Sequence, residues 1–157
     1  MNALDLLKKD HEEVLALFKK ADALGERATT SRRDLFEQID EALTLHSKIE
    51  EKLLYPSFKE RAKKSEQKDE VLEAYEEHGV AKRLIKELEG LEATDERYKA
   101  KLQVLGEAIQ HHAGEEEKEM FPMVRELFSS EELNEMGEQI IAMKEKAGAP
   151  VPAEARR

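Results

Sequence analysis

The sequence predicts an all-α fold: an antiparallel up-down-up-down four-helix bundle with an additional short C-terminal helix. Three observations predict it. Apolar residues recur at steps of three and four along four long stretches, the period of a helix with one buried face. Short or modest polar connections join those stretches, which makes neighbouring helices antiparallel in the simplest arrangement. Each stretch also carries one histidine on its otherwise apolar seam: His11, His46, His78 and His112.

The first helix is expected from about residue 3 to 24 on Leu4, Leu7, His11, Val14, Phe18 and Ala21, with Gly25 marking its end. Ser31 with Asp34 resembles a capping box. It opens a second helix on Leu35, Ile39, Ala42, His46, Ile49, Glu50 and Leu53, reaching Tyr55-Pro56. The stretch KERAKKSEQKDE is polar and has no stripe, so it reads as a loop or a frayed helix end. The third helix carries Val71, Tyr75, His78, Ala81, Ile85 and Leu88 and ends near Gly90. Thr94 can cap the fourth, which follows Leu102, Leu105, Ile109, His112, Glu116 and Met120 and continues, bent at Pro122, through Met123 and Leu127. Ser129 and Glu132 open a fifth helix over about 130–146, and AGAPVPAEARR reads as a disordered tail. The expected organisation is a bundle over 1–128, a C-terminal helix over 129–147 packed on or extending it, and a tail over 148–157.

Composition narrows the function. The 157 residues amount to one ordinary domain with a sizeable core. The chain has no cysteine, which excludes disulfides, thiolate zinc sites, iron–sulfur clusters and thiol nucleophiles. The N-terminus, MNALDLLKKDHEEV, carries acids inside its apolar pattern and is neither a secretory signal nor a membrane span. A cytoplasmic protein is the expectation. Lys and Arg number 26 against 36 Asp and Glu, a net charge of −10, with no basic stripe. Nucleic acid and anionic membrane are therefore disfavoured as partners.

Two segments say nearly the same thing. HSKIEEKLLYP begins at His46 and HAGEEEKEMFP at His112; in each, glutamate follows four residues after the histidine and proline ten residues after it. Hairpin arithmetic brings His11 level with His46, and His78 level with His112, within about one turn of 5.4 Å. The middle connection brings the two pairs level with each other. Four imidazoles thus converge on one core layer, with Glu50 and Glu116 a turn below. Two ionised carboxylates in an apolar core cost several kcal/mol each unless a cation compensates them, and neutral imidazoles have few protons to offer. A metal resolves both problems, and nitrogen and carboxylate donors without sulfur suit iron, manganese or zinc. Histidine with carboxylate four residues on places both donors on one helix face. Two such helices plus one histidine from each remaining helix supply four terminal nitrogens and two carboxylates able to bridge, which describes a dinuclear site.

The pattern His11, His46-x-x-x-Glu50, His78, His112-x-x-x-Glu116, with YP and FP after the two pairs, resembles the hemerythrin-like (HHE cation-binding) family over residues 3–128. The fifth helix resembles an extension of its bacterial single-domain members. The resemblance implies a non-haem centre of two iron ions with oxo or hydroxo and carboxylate bridges. It also implies binding of dioxygen, peroxide or nitric oxide, with His11, His46, His78 and His112 as terminal ligands and Glu50 and Glu116 as bridges. The chain departs from the oxygen-carrying hemerythrins, which have a second histidine on the third helix where this chain holds Ala74 and Lys82, and a last pair His-x-x-x-x-Asp. With each iron roughly six-coordinate, about two positions stay open, or one if another residue or a water fills a place. More open coordination favours chemistry over simple carriage.

The seam selects His112 over His111, although His111-x-x-x-Glu115 has the same spacing. Glu51 and Glu117 read as a solvated face that adds outer hydrogen bonds at best. Tyr55 and Tyr75 read as core packing, with a hydrogen bond to a ligand or the filling of an open site as the alternative. Gly79 and Gly114, each beside a ligand histidine, suggest close backbone approach, a small pocket or an ordinary irregularity. Three functions stay open: a diiron module for sensing or storage that works with a protein partner, a diiron oxidoreductase consuming peroxide or nitric oxide, and a metal-free structural bundle. A ferritin-like carboxylate bundle fits less well, because its signature is Glu-x-x-His.

Overall fold

The structure is a computed structural model that describes the backbone of residues 1–156 and the side chains of residues 1–155. It is all-helical, with no strand among the described residues. Helix α1 (Ala3–Asp22) begins at Asn2, whose side chain accepts from the Asp5 N–H at 3.0 Å. Helix α2 (Thr29–Ile49) begins two residues before Ser31 and has no side-chain cap. The expected box is not used; instead the buried Arg32 guanidinium donates to the Gly25 carbonyl at 2.8 Å and satisfies the preceding turn.

Helix α2 runs straight into a π-helical segment, Glu50–Leu54, and then into α3 (Tyr55–Arg61). The polar stretch expected as a loop or a frayed helix end is mostly helix. After α3, only residues 62–64 intervene before α4 (Ser65–Glu89), whose Gln67 side chain accepts from the Lys63 and Lys64 N–H groups at 3.1 and 3.2 Å. These helix ends expose most of their faces, so no apolar stripe announces them. Helix α5 (Glu96–Glu115) is capped by Asp95 rather than Thr94, its carboxylate accepting from the Arg97 N–H at 2.9 Å. A second π segment, Glu116–Met120, leads into α6 (Phe121–Leu127). Helix α7 (Ser130–Lys146) opens with the Ser129–Glu132 capping box, at 3.1 and 3.0 Å. Of the tail expected over 148–157, Ala153–Arg156 form a 3-10 turn, and the last residue lies outside the described residues.

The two π segments coincide with the repeat. Each begins at the seam glutamate, closes with an N–H bond to that glutamate's carbonyl from Tyr55 or Phe121, and is followed by Pro56 or Pro122 near the start of the next helix. An i→i+5 step slips the buried face by one residue. Leu54 is therefore fully buried, whereas Leu53, expected on the seam, only packs against the core's edge.

Two apolar clusters result. One gathers Leu4 and Leu7 of α1 with Leu54, Phe58, Val71, Phe121 and Val124. The other gathers Val14 and Phe18 with Ile39, Leu43, Ile85, Leu105 and Ile109. Helix α7 adds Leu133, Met136 and Ile140 to the first cluster and packs on α1. A Cβ on Gly137 would stand 2.5 Å from the Met1 carbonyl, so only glycine permits that approach. No helix among the described residues is long and apolar enough to cross a membrane.

Candidate metal centre

Between the two clusters lies a polar layer made of the six residues the sequence singles out. Helix α1 supplies His11, α2 His46, α4 His78 and α5 His112, while the first residue of each π segment supplies Glu50 or Glu116. All six are buried, Glu50 completely and His46 with 8% exposure. They form two groups, His11, His46, Glu50, Glu116 and Glu50, His78, His112, Glu116, within each of which the donor atoms lie within 4.8 Å of one another. The glutamates are common to both. His11 Nε2 is 3.1 Å from Glu116 Oε1, His46 Nε2 3.0 Å and His78 Nε2 3.1 Å from Glu50 Oε1, and His112 Nε2 3.2 Å from Glu116 Oε2.

A second ring of carboxylates fixes the imidazoles from behind. Asp10 meets His46 Nδ1 at 2.8 Å, Glu51 meets His78 Nδ1 at 2.9 Å, Glu77 meets His112 Nδ1 at 2.7 Å, and Glu117 meets His11 Nδ1 at 2.8 Å. Each histidine is thus oriented by an acid from the neighbouring helix, in one direction round the bundle. A proton on Nδ1 would leave the Nε2 lone pair aimed inward, the tautomer a metal requires. Asp10 and Glu77 escape sequence reasoning because an acid beside a seam histidine looks like a solvated face. The signal is present all the same: an acid directly precedes His11 and His78 and directly follows Glu50 and Glu116. Two of the four acids carry a lysine in turn. The buried Lys144 of α7 donates to Asp10 at 2.5 Å, and the exposed Lys82 donates to Glu51 at 2.8 Å.

Tyr55 combines the two roles that its sequence position left open. Its ring packs in the core as expected, but its hydroxyl stands among the donors, 2.5 Å from Glu116 Oε2, 3.2 Å from Glu50 Oε1, 3.1 Å from His78 Nε2 and 3.3 Å from His112 Nε2. One phenolic proton faces four acceptors. The counterpart in the other copy of the repeat is Phe121, which has no hydroxyl and stacks on His11 with centroids 6.2 Å apart. The YP and FP endings of the repeat carried that difference.

In this layer burial opposes charge and the neighbouring groups favour it. Burial alone would neutralise Glu50, but the charge of His46 and hydrogen bonds to His46 and His78 hold its carboxyl well below the usual range. Burial opposes charge on His46, yet Glu50 and Asp10 outweigh it and raise the imidazole well above its ordinary value. His112 follows the same balance and is raised to about 10. Burial, then the Glu50 and Glu116 charges, push the Tyr55 phenol up. Even so, His11 Nε2, His46 Nε2, Glu50 Oε2 and Glu116 Oε1 are buried without a hydrogen-bond partner. Inward nitrogen and oxygen atoms without a partner, around two buried carboxylates, are what one or more cations satisfy, so the residues fit a metal.

The remaining candidates lie outside the layer. His111 is exposed, 3.3 Å from Glu115 and 3.7 Å from Glu77, so His112 takes the inward place as the seam predicts. A Cβ on Gly79 or Gly114 would meet nothing within 4 Å, so close approach does not explain either glycine. Ala74 is buried and Lys82 exposed; neither contributes a donor to the layer.

Comparison with known proteins agrees with this geometry. The family model for the hemerythrin HHE cation-binding domain matches residues 2–124. A DNA nickase from Nostoc sp. is 27% identical over 146 residues, 93% of this chain; the chain spans only 40% of the nickase's length. The uncharacterized protein Rv2633c of Mycobacterium tuberculosis is 28% identical over 158 residues, covering 96% of this chain and 91% of that protein. The crystal structure of an HHE cation-binding domain-containing protein, the Rv2633c homolog from Mycobacterium kansasii, superposes with a TM-score of 0.79 at 25% identity, over 94% of this chain and 88% of that one. With the family model covering most of its length, the chain belongs to the hemerythrin HHE cation-binding domain family.

Proposed function

We propose that the chain holds two iron ions and binds dioxygen or a related small oxidant, peroxide or nitric oxide, for sensing, storage or detoxification. The observation that carries this reading is the donor set: two buried donor groups sharing two carboxylates, with inward atoms that lack hydrogen-bond partners. His11 and His46 would hold one ion and His78 and His112 the other, with Glu50 and Glu116 bridging. When bound, an iron pair supplies the capacity to take up small oxidants and exchange electrons with them.

The chain's own residues differ between the two places. In the His78–His112 group the Tyr55 hydroxyl already stands within hydrogen-bonding distance of all four donors, so it would fill a place there. In the His11–His46 group the ring of Phe121 stacks beside His11 and offers no donor, so the open place would be on that side. Asp10, Glu51, Glu77 and Glu117 keep the imidazoles oriented. An antiparallel up-down-up-down arrangement is supported by the clusters themselves, which pair the start of α1 with the end of α2 and the start of α4. A cytoplasmic protein working with a protein partner completes the proposal. DNA nicking is not carried over, since the shared region is 40% of the nickase and this chain's charge is −10.

The second reading is an oxidoreductase, favoured by Tyr55, an ionisable group placed among the donors. Adding peroxide to iron-loaded protein tests both. Sustained peroxide loss that disappears in His78→Ala supports the enzyme; an optical change without turnover supports binding; the absence of both would overturn the peroxide reading.

A further inference from the structure

A cavity of about 610 Å³ lies beside the ligand layer on the side of the second apolar cluster. The four imidazoles form its floor. Val14, Leu43, Ile85 and Ile109 form its walls, and the small side chains of Ala81 and Ala108 leave it wide. It opens between α2 and α4, which pack on α1 and α5 respectively and make little contact with each other.

Its size does not match a small oxidant. A water-sized molecule takes about 30 Å³ of liquid volume, whereas sites for organic ligands run from about 300 to 1,000 Å³. Its mouth does not match the rest of the surface either. On a chain of net charge −10, Lys48 and Lys52 from the α2 side and Lys82 from α4 line the opening. The two acids on the lining are committed, Glu51 to His78 and Lys82 and Glu77 to His112. Lys48 and Lys52 lie one helical turn apart and enter no ion pair among the described residues. An aliphatic interior with a cationic mouth is complementary to an amphiphile with an apolar body and a single anionic head.

We propose that this cavity binds a long-chain carboxylate, its hydrocarbon chain against the aliphatic walls and its head group held by Lys48 and Lys52. The donor set supplies only the floor of the site; the walls and the lysines lie outside it. Its failure and that of the iron reading are thus separable.

The test is titration of the protein, as purified and after chelation, with cis-parinaric acid, a fluorescent polyene fatty acid. Displacement by dodecanoic acid is then compared with displacement by dodecanol. The expected result is saturable binding of one molecule per chain in both forms, with dodecanol at least tenfold weaker than dodecanoic acid. The double substitution Lys48→Glu and Lys52→Glu, on exposed positions, should weaken binding at least tenfold, and Ala108→Phe should weaken it by narrowing the cavity. Absence of saturable binding to the wild type would overturn the proposal. So would equal displacement by the alcohol, or unchanged affinity in the lysine variant; these outcomes point to a neutral apolar ligand or to unspecific adsorption.

Discussion

The two halves of the ligand layer share Glu50 and Glu116 and are built from a repeated segment, yet they differ by one hydroxyl and by what stands behind them. The His78–His112 half contains the Tyr55 oxygen; the His11–His46 half has Phe121 in the corresponding place and keeps unpaired donor atoms. Behind the first half, Glu77 belongs to an acidic surface with Glu70, Glu73, Glu115 and Glu119. Behind the second, Asp10 is bonded to a buried lysine from α7. The difference teaches that a near-symmetric scaffold can make its two donor groups unlike by single residues, one gaining a hydroxyl and the other a bare ring.

The sharing itself gives the largest expected effect. Glu50→Ala removes a carboxylate from both groups at once, so iron should fall from two per chain to near zero by metal analysis, whereas loss of one terminal histidine should spare the other half in part. Tyr55→Phe would make the halves alike. Iron should remain at two per chain, any phenolate-to-iron absorption band should vanish, and azide, used as a small anionic probe, should bind at two places instead of one.

Lys144→Met removes the buried partner of Asp10. Breaking a buried ion pair costs about 3–5 kcal/mol, and loss of support behind a ligand histidine lowers metal affinity about 10–100-fold. The control is Lys82→Met, whose pair with Glu51 is largely exposed and is worth below about 1 kcal/mol. Denaturant unfolding and metal competition check both. The smallest effect concerns Glu70, which burial and then its acidic neighbours raise to about 6. Because its folded pKa lies above the ordinary 4.5, its stabilising effect is present below that value and is lost as pH rises through about 6. Glu70→Gln should therefore raise stability at pH 7 by less than about 1 kcal/mol after solvent screening and change little at pH 4.5.

Much of this was legible in the chain. Seam periodicity located the long helices, and the four histidines and two glutamates identified by spacing do converge in one layer. What periodicity could not reveal was the pair of π segments, since one extra residue in a turn moves the buried face from Leu53 to Leu54 without changing composition. Nor could it reveal the part played by Tyr55, because a phenol on an apolar seam buries its ring whether or not its hydroxyl has work to do. Asp10 and Glu77 were hidden among many similar surface acids. Their role depends on the neighbouring helix, a relation that one helix's pattern does not contain.

The central claim is a dinuclear iron centre, and iron content per chain tests it most directly, measured on protein purified from iron-supplemented cells with no metal added afterwards. The account predicts close to two irons per chain. A folded protein with essentially no bound metal would contradict it and return the histidine layer to a purely structural role.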